Sequence, residues 1–175
     1  MKTLTVDEIM SWKPCEDYPR SRIVELFSGR DQITPVDVLK MDIPHLDKLW
    51  AVLRSEIFRD IDLQFMACDF VESILDLLPN DDCQLISSAL NRKRESIRGG
   101  GIIDQQEFNN KFRFRLDTII RTTFNIAIRR VWMACIAALS GVNIIACATH
   151  AFNAKEDLSE QEKQIAIILK YLEKG

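Results

Sequence analysis

Apolar residues recur three and four positions apart along nearly the whole chain, and no stretch keeps a two-residue alternation. The pattern therefore predicts helices throughout and no strand. Capping residues mark the starts. Thr5 precedes VDEIMSW with Glu8 three residues on, the spacing of a capping box, and Thr34-Pro35 opens PVDVLKM with proline at the first helical position, where its missing N–H breaks no bond. Pro19 opens RSRIVELF, which stops at Ser28-Gly29. Pro44 opens HLDKLWAVLR, whose Leu46, Leu49, Trp50 and Leu53 share one face, with Trp50 at its centre as an expected core anchor.

A longer helix is expected from Asp60 to Leu78, stopped by Pro79-Asn80. At the helical period Leu63, Met66, Phe70, Ile74, Leu77 and Leu78 fall on one side and Asp62, Asp69, Glu72 and Asp76 on the other, with Cys68 at the edge of the oily face. Asp81-Asp82 begins the next helix, whose polar end NRKRESIR runs into Gly99-Gly100-Gly101, a hinge because consecutive glycines destabilise a helix. From Asp104 to Leu139, Phe108, Phe112, Leu116 and Ile119 are followed by Ile120, Phe124, Ala127, Val131, Cys135 and Ile136. That stripe swings round at Thr122-Thr123, where a bend or break is expected. Gly141 starts a helix to about Phe152, and Ser159 with Glu162 caps the last one, whose Ile165, Ile168, Leu169 and Leu172 close the core. The fold class is all-α: one domain, 1–175, a bundle of eight or nine helices with a glycine hinge at 99–101.

Composition changes this picture little. With 47% apolar and 28% charged residues the chain is globular rather than disordered. MKTLTVDEIMSW carries acids where the apolar core of a signal peptide would run. The stretch from Val131 to Phe152 approaches membrane length, but Asn143, Thr149 and His150 interrupt it, so a buried helix pair is expected and no membrane span. Cys15, Cys68, Cys83, Cys135 and Cys147 are odd in number and scattered, as for reduced thiols in a cytoplasm.

Charge changes it more. Residues 1–90 hold 9 Lys and Arg against 17 Asp and Glu, residues 91–130 hold 10 against 4, and residues 131–175 hold 4 against 5. Between Arg59 and Arg92 stand seven acids and no cation. Two readings are open. Arg92, Lys93, Arg94, Arg98 and the arginines of 111–130 neutralise the acids within the fold, or Asp62, Asp69, Glu72 and Asp76 form a docking stripe for a basic partner, where complementary charge speeds association. The basic stretch with Phe108, Phe112, Phe114 and Phe124 raises nucleic acid as a ligand. Most of those aromatics fit the core stripe, however, and a pI near 5.5 argues against it.

No catalytic residue is assigned. The glycine run lacks the lysine and hydroxyl of a phosphate loop, His45 and His150 have no partner at metal-ligand spacing, and no C-x-x-C occurs, so neither metal nor cofactor is expected. In Cys68-Asp69 the side chains point about 100° apart, and a neighbouring carboxylate raises a thiol's pKa, the wrong direction for a nucleophile. Cys68 is expected to be structural.

GRDQITPVDVLKMDIPHLDKLWAVLR, ACDFVESIL and the terminal EQEKQIAIILKYL together resemble a family of small helical immunity proteins of bacteria and phages. Relatives are richer in alanine and arginine after the glycine turn, where FNNKFRFRLDTIIRTTFNIAI is bulkier here. The resemblance implies a non-enzymatic inhibitor that binds and occludes a protein partner, a toxin or a host defence complex. One phage version would be an anti-CRISPR protein whose acids stand where a nucleic acid would sit on the effector. A homodimer is compatible with these features. The rival reading is an enzyme or small-ligand domain with a site inside the bundle, which a cavity with converging polar groups would favour.

Overall fold

The computed structural model describes residues 2–99, 112, 114, 115, 117–119, 121–141, 143–155 and 157–174. Among them run nine α-helices and one 3-10 turn: α1 (Val6–Ser11), α2 (Arg20–Phe27), α3 (Pro35–Lys40), α4 (His45–Val52), α5 (Asp60–Glu72), the turn Leu75–Leu77, α6 (Asn80–Gly99), α7 (Ile126–Ser140), α8 (Ile144–Lys155) and α9 (Leu158–Leu172). The described residues between 112 and 122 are helical as well. The chain is the expected all-α bundle. Its extended contact among the described residues is one antiparallel bridge, Leu4 to Ile33.

The caps read from the first half hold. Thr5 Oγ1 accepts from the Glu8 N–H at 3.2 Å. Thr34 and Asp37 form a reciprocal box at 3.1 and 2.7 Å, and the Asp37 carboxyl is drawn down to about 2 by the Thr34 hydroxyl, which donates to it at 2.6 Å, and by the Thr34 N–H. Ser28 ends α2 in the left-handed region, with Gly29 following at φ 77°.

Other boundaries move for local reasons. The helix expected to reach Leu78 stops at Glu72, where the Ser73 hydroxyl turns back to the Phe70 carbonyl at 2.8 Å, and the chain tightens into Leu75–Leu77. The break expected at Thr122-Thr123 is present, and Asn125 caps α7 by accepting from the Ile128 N–H at 3.3 Å. Gly141 does not start a helix; at φ 69° it ends α7. The last helix is capped by Asp157 rather than Ser159, its carboxylate accepting from the Glu160 N–H and the Ser159 hydroxyl, both at 2.8 Å. Gly99 closes α6, while Gly100, Gly101 and the 104–111 part of the stripe lie outside the described residues.

α7 and α8 lie along one another, and α5 rests on both. Their facing positions are small: Ala134, Cys135 and Ala138 on α7 and Cys147, Ala148 and Ala151 on α8 are fully buried, which lets the backbones come close. α9 covers α5 and α8, α6 flanks α5 and α7, and α1–α4 form a layer joined to α8 through α4. Cys68 is therefore not at an edge: α5 is covered by several helices, and its thiol is fully buried and pushed up to about 11 by that burial. Trp50 is not the core anchor; it is half-buried, and Trp132 on α7 is the fully buried tryptophan. Among the described residues no helix is long and apolar enough to cross a membrane.

Candidate functional site

The four acids of the proposed docking stripe each meet a cation of the chain itself. Asp69 takes Arg94 at 2.7 Å and the Tyr171 hydroxyl at 3.0 Å, so one carboxylate ties α5 to α6 and α9. Glu72 takes the same guanidinium at 2.6 Å, Asp62 takes Arg59 at 2.6 Å, and Asp76 takes Lys155 at 3.0 Å. Arg94 and Lys155 keep only 13% and 11% of their side-chain surface exposed, so both are fixtures of the fold. Of the basic residues proposed as neutralisers, Arg94 takes that role for Asp69 and Glu72.

The exposed aromatic surface lies elsewhere. The turn between the helical residues before 123 and α7 is braced from three sides: the Arg129 Nε–H donates to the Thr123 carbonyl at 2.9 Å, the Asn125 side chain caps α7, and the Asn125 N–H donates to the Thr123 hydroxyl at 3.4 Å. That braced turn holds Phe124 out at 96% exposure, beside Ile126 at 67%. Met133, two turns along the outer face of α7, is exposed too, and so is Phe114 at 76%. Phe112 goes the other way, its ring 5.7 Å from that of Trp132. The expectation that Phe124 belongs to the core stripe thus fails, while Phe112 holds to it. A signal existed: Phe124 falls in the break, where helical periodicity places no side chain. Arg115, Arg121, Arg129 and Arg130 share this segment with a single described acid, Asp117. Arg115 is held by Asp82 at 2.8 Å, and Arg130 lies 3.4 Å from the His150 ring.

Buried polar groups line the inner face of α9. Glu160 accepts from the Ser73 hydroxyl at 2.9 Å, while Gln164 bonds His45 at 2.8 Å and donates to the Ala148 carbonyl at 3.0 Å. Burial raises the Glu160 carboxyl and lowers the His45 imidazole, so both favour their neutral forms. They lie in the core between α4, α5, α8 and α9. Among the described residues no three His, Cys, Asp or Glu side chains gather in a way that could hold a metal ion.

A cavity of about 280 Å³ opens between α1–α4 and α8. Its walls include Ile23, Phe27, Val38, Leu46, Trp50 and Ile145, and its polar feature is the Tyr18 hydroxyl donating to Asp47 at 2.7 Å. Sequence reasoning missed this pair, since 29 residues separate its members and neither belongs to a motif. Compared with known proteins, no family model, no curated protein and no solved structure matches the chain.

Proposed function

We propose that the chain is a non-catalytic inhibitor of a protein partner, as its resemblance to the immunity proteins implies, and that it binds that partner in the cytoplasm through the surface around Phe124. The observation that carries the reading is Phe124 itself. Exposing a phenylalanine this fully sets a large apolar face in water, and the surrounding bonds fix the turn that presents it. Pre-ordered aromatic residues among arginines have the composition of an interface hot spot, because little conformational freedom is lost when they dock. The basic surroundings select an acidic face on the partner, a toxin or a host defence complex. An acidic stripe mimicking nucleic acid would need Asp62, Asp69, Glu72 and Asp76 free, and they are engaged within the chain. The five free thiols fit a reducing compartment.

The test is capture from host lysate by the purified chain, then reconstitution of the captured protein at defined stoichiometry. Phe124→Asp should weaken a saturable complex at least about tenfold with the melting curve unchanged. A partner bound equally well by that variant, or one converted catalytically by the chain alone, overturns the reading.

A further inference from the structure

The cavity beneath α1–α4 has no part in that proposal, and it has the make-up of a ligand site. At about 280 Å³ it falls just below the range for drug-sized ligand sites, roughly 300–1,000 Å³, and suits a smaller molecule. It forms because four helices of six to eight residues cannot fill the space they enclose. One wall is stiffened by the Arg54 guanidinium, 4.4 Å from the Trp12 ring and 4.1 Å from that of Trp50.

The carboxylate in this apolar wall differs from the other partly or fully buried carboxylates, apart from Glu160, whose burial favours its neutral form. Glu8, Asp37, Asp62, Asp69 and Asp82, all partly or largely buried, each hold a lysine or arginine, at 2.7, 3.2, 2.6, 2.7 and 2.8 Å. Asp47, also half-buried, has no such cation among the described residues and takes only the Tyr18 hydroxyl. The nearby loop adds negative charge, since exposed Glu16 and Asp17 stand between the lining residues Cys15 and Tyr18, while Arg22 is engaged by Glu25 at 3.1 Å. An apolar chamber closed by an unmatched carboxylate complements a small apolar body carrying a cation. We propose that this cavity binds a small hydrophobic amine, its ammonium on Asp47 and its apolar part against Ile23, Phe27, Trp50 and Ile145.

Phenethylamine, phenethyl alcohol and hydrocinnamate, which carry the same ring with cationic, neutral and anionic heads, provide the test. Binding is followed by the NMR amide shifts of Tyr18, Asp47 and Thr149. The amine should bind with a dissociation constant on the order of millimolar, as expected for so small a probe. It should bind about tenfold tighter than the alcohol, with the acid weakest. Asp47→Asn should level amine and alcohol. Tyr18→Phe, which removes the phenolic hydroxyl and keeps the carboxylate, should preserve the amine preference and covers the case in which Asp47→Asn loosens the fold. Equal binding of the three heads, no binding at several millimolar, or loss of the preference in Tyr18→Phe overturns the proposal. Amine binding that dissociates a homodimer would assign the cavity to a side chain of a second copy, and overturns it as well.

Discussion

The N-terminal layer α1–α4 and the C-terminal core of α5 and α7–α9 bury apolar surface by different means. In the layer, helices of six to eight residues are too short to persist alone, so caps, the Leu4–Ile33 bridge and peripheral ion pairs hold them in place. Their large side chains meet imperfectly and leave the cavity. In the core, helices of twelve to fifteen residues meet through alanines and cysteines, and close backbone approach replaces side-chain bulk. Tight packing of small residues gives rigidity, whereas loose packing of large ones gives room for a ligand.

The sharpest test compares two tryptophans. Trp132 is sealed in the core and Trp50 lines the cavity, so Trp132→Ala should destabilise by about 3–5 kcal/mol. Trp50→Ala should cost about 1–2 kcal/mol, because part of that ring is already in water. Urea denaturation followed by far-ultraviolet circular dichroism measures both. Equal losses would mean that the layer and the core are packed alike.

Charged groups give the next contrast. Asp69 joins α5 to α6 and α9 through Arg94 and Tyr171, so Asp69→Ala should cost about 2–3 kcal/mol. Asp37 stabilises one short helix start in the layer, and Asp37→Ala should cost about 1 kcal/mol. Reversing Asp62, Asp69, Glu72 and Asp76 together to lysine should loosen the isolated protein, since it sets new cations against Arg94 and Lys155. A reversed protein that melts like the parent would return those acids to the role of a solvated face. A smaller effect is expected at Cys68→Ala: the thiol is an apolar filler with no room to relax, and its loss should cost about 1 kcal/mol in thermal melts.

The two regions also differ in how far they could be read from residues alone. In the layer, Thr5, Thr34-Pro35 and Ser28-Gly29 announce helix ends by local chemistry, and that chemistry acts unchanged in the fold. In the core the same method misjudges Cys68 and the end of α5. A helix covered by α6, α7, α8 and α9 shows no single oily stripe, and Ser73 is turned by bonds to Phe70 and to Glu160, 87 residues away. Trp50 was misplaced because periodicity shows which residues share a face but not whether that face meets a neighbour or a cavity. Tyr18–Asp47 is a tertiary pairing of common residue types with no spacing to betray it, whereas the bracing of Phe124 is local, made by Asn125 and Arg129 at the break.

The smallest effects expected are those of pH, and they separate the core from its junction with the layer. His45, where α4 meets α9, has its imidazole lowered from the ordinary 6.5, chiefly by burial, so the folded protein holds it neutral while the unfolded chain takes up a proton near that pH. Its contribution is complete above 6.5 and is lost as pH falls from there toward the lower folded value. His150 is also lowered, by burial and by Arg130, and has the same sign. Glu160 acts oppositely: its folded carboxyl is raised above 4.5 by burial, so its contribution is present below 4.5 and is lost as pH rises toward the folded value. Melting temperatures across pH 4 to 8 should therefore show Glu160→Gln gaining on the parent as pH rises and His45→Gln gaining as pH falls below about 6.5. With two histidines in the chain, NMR titration of their ring protons resolves each directly. An ordinary midpoint for His45 in the folded protein would place its ring in water and detach α4 from α9.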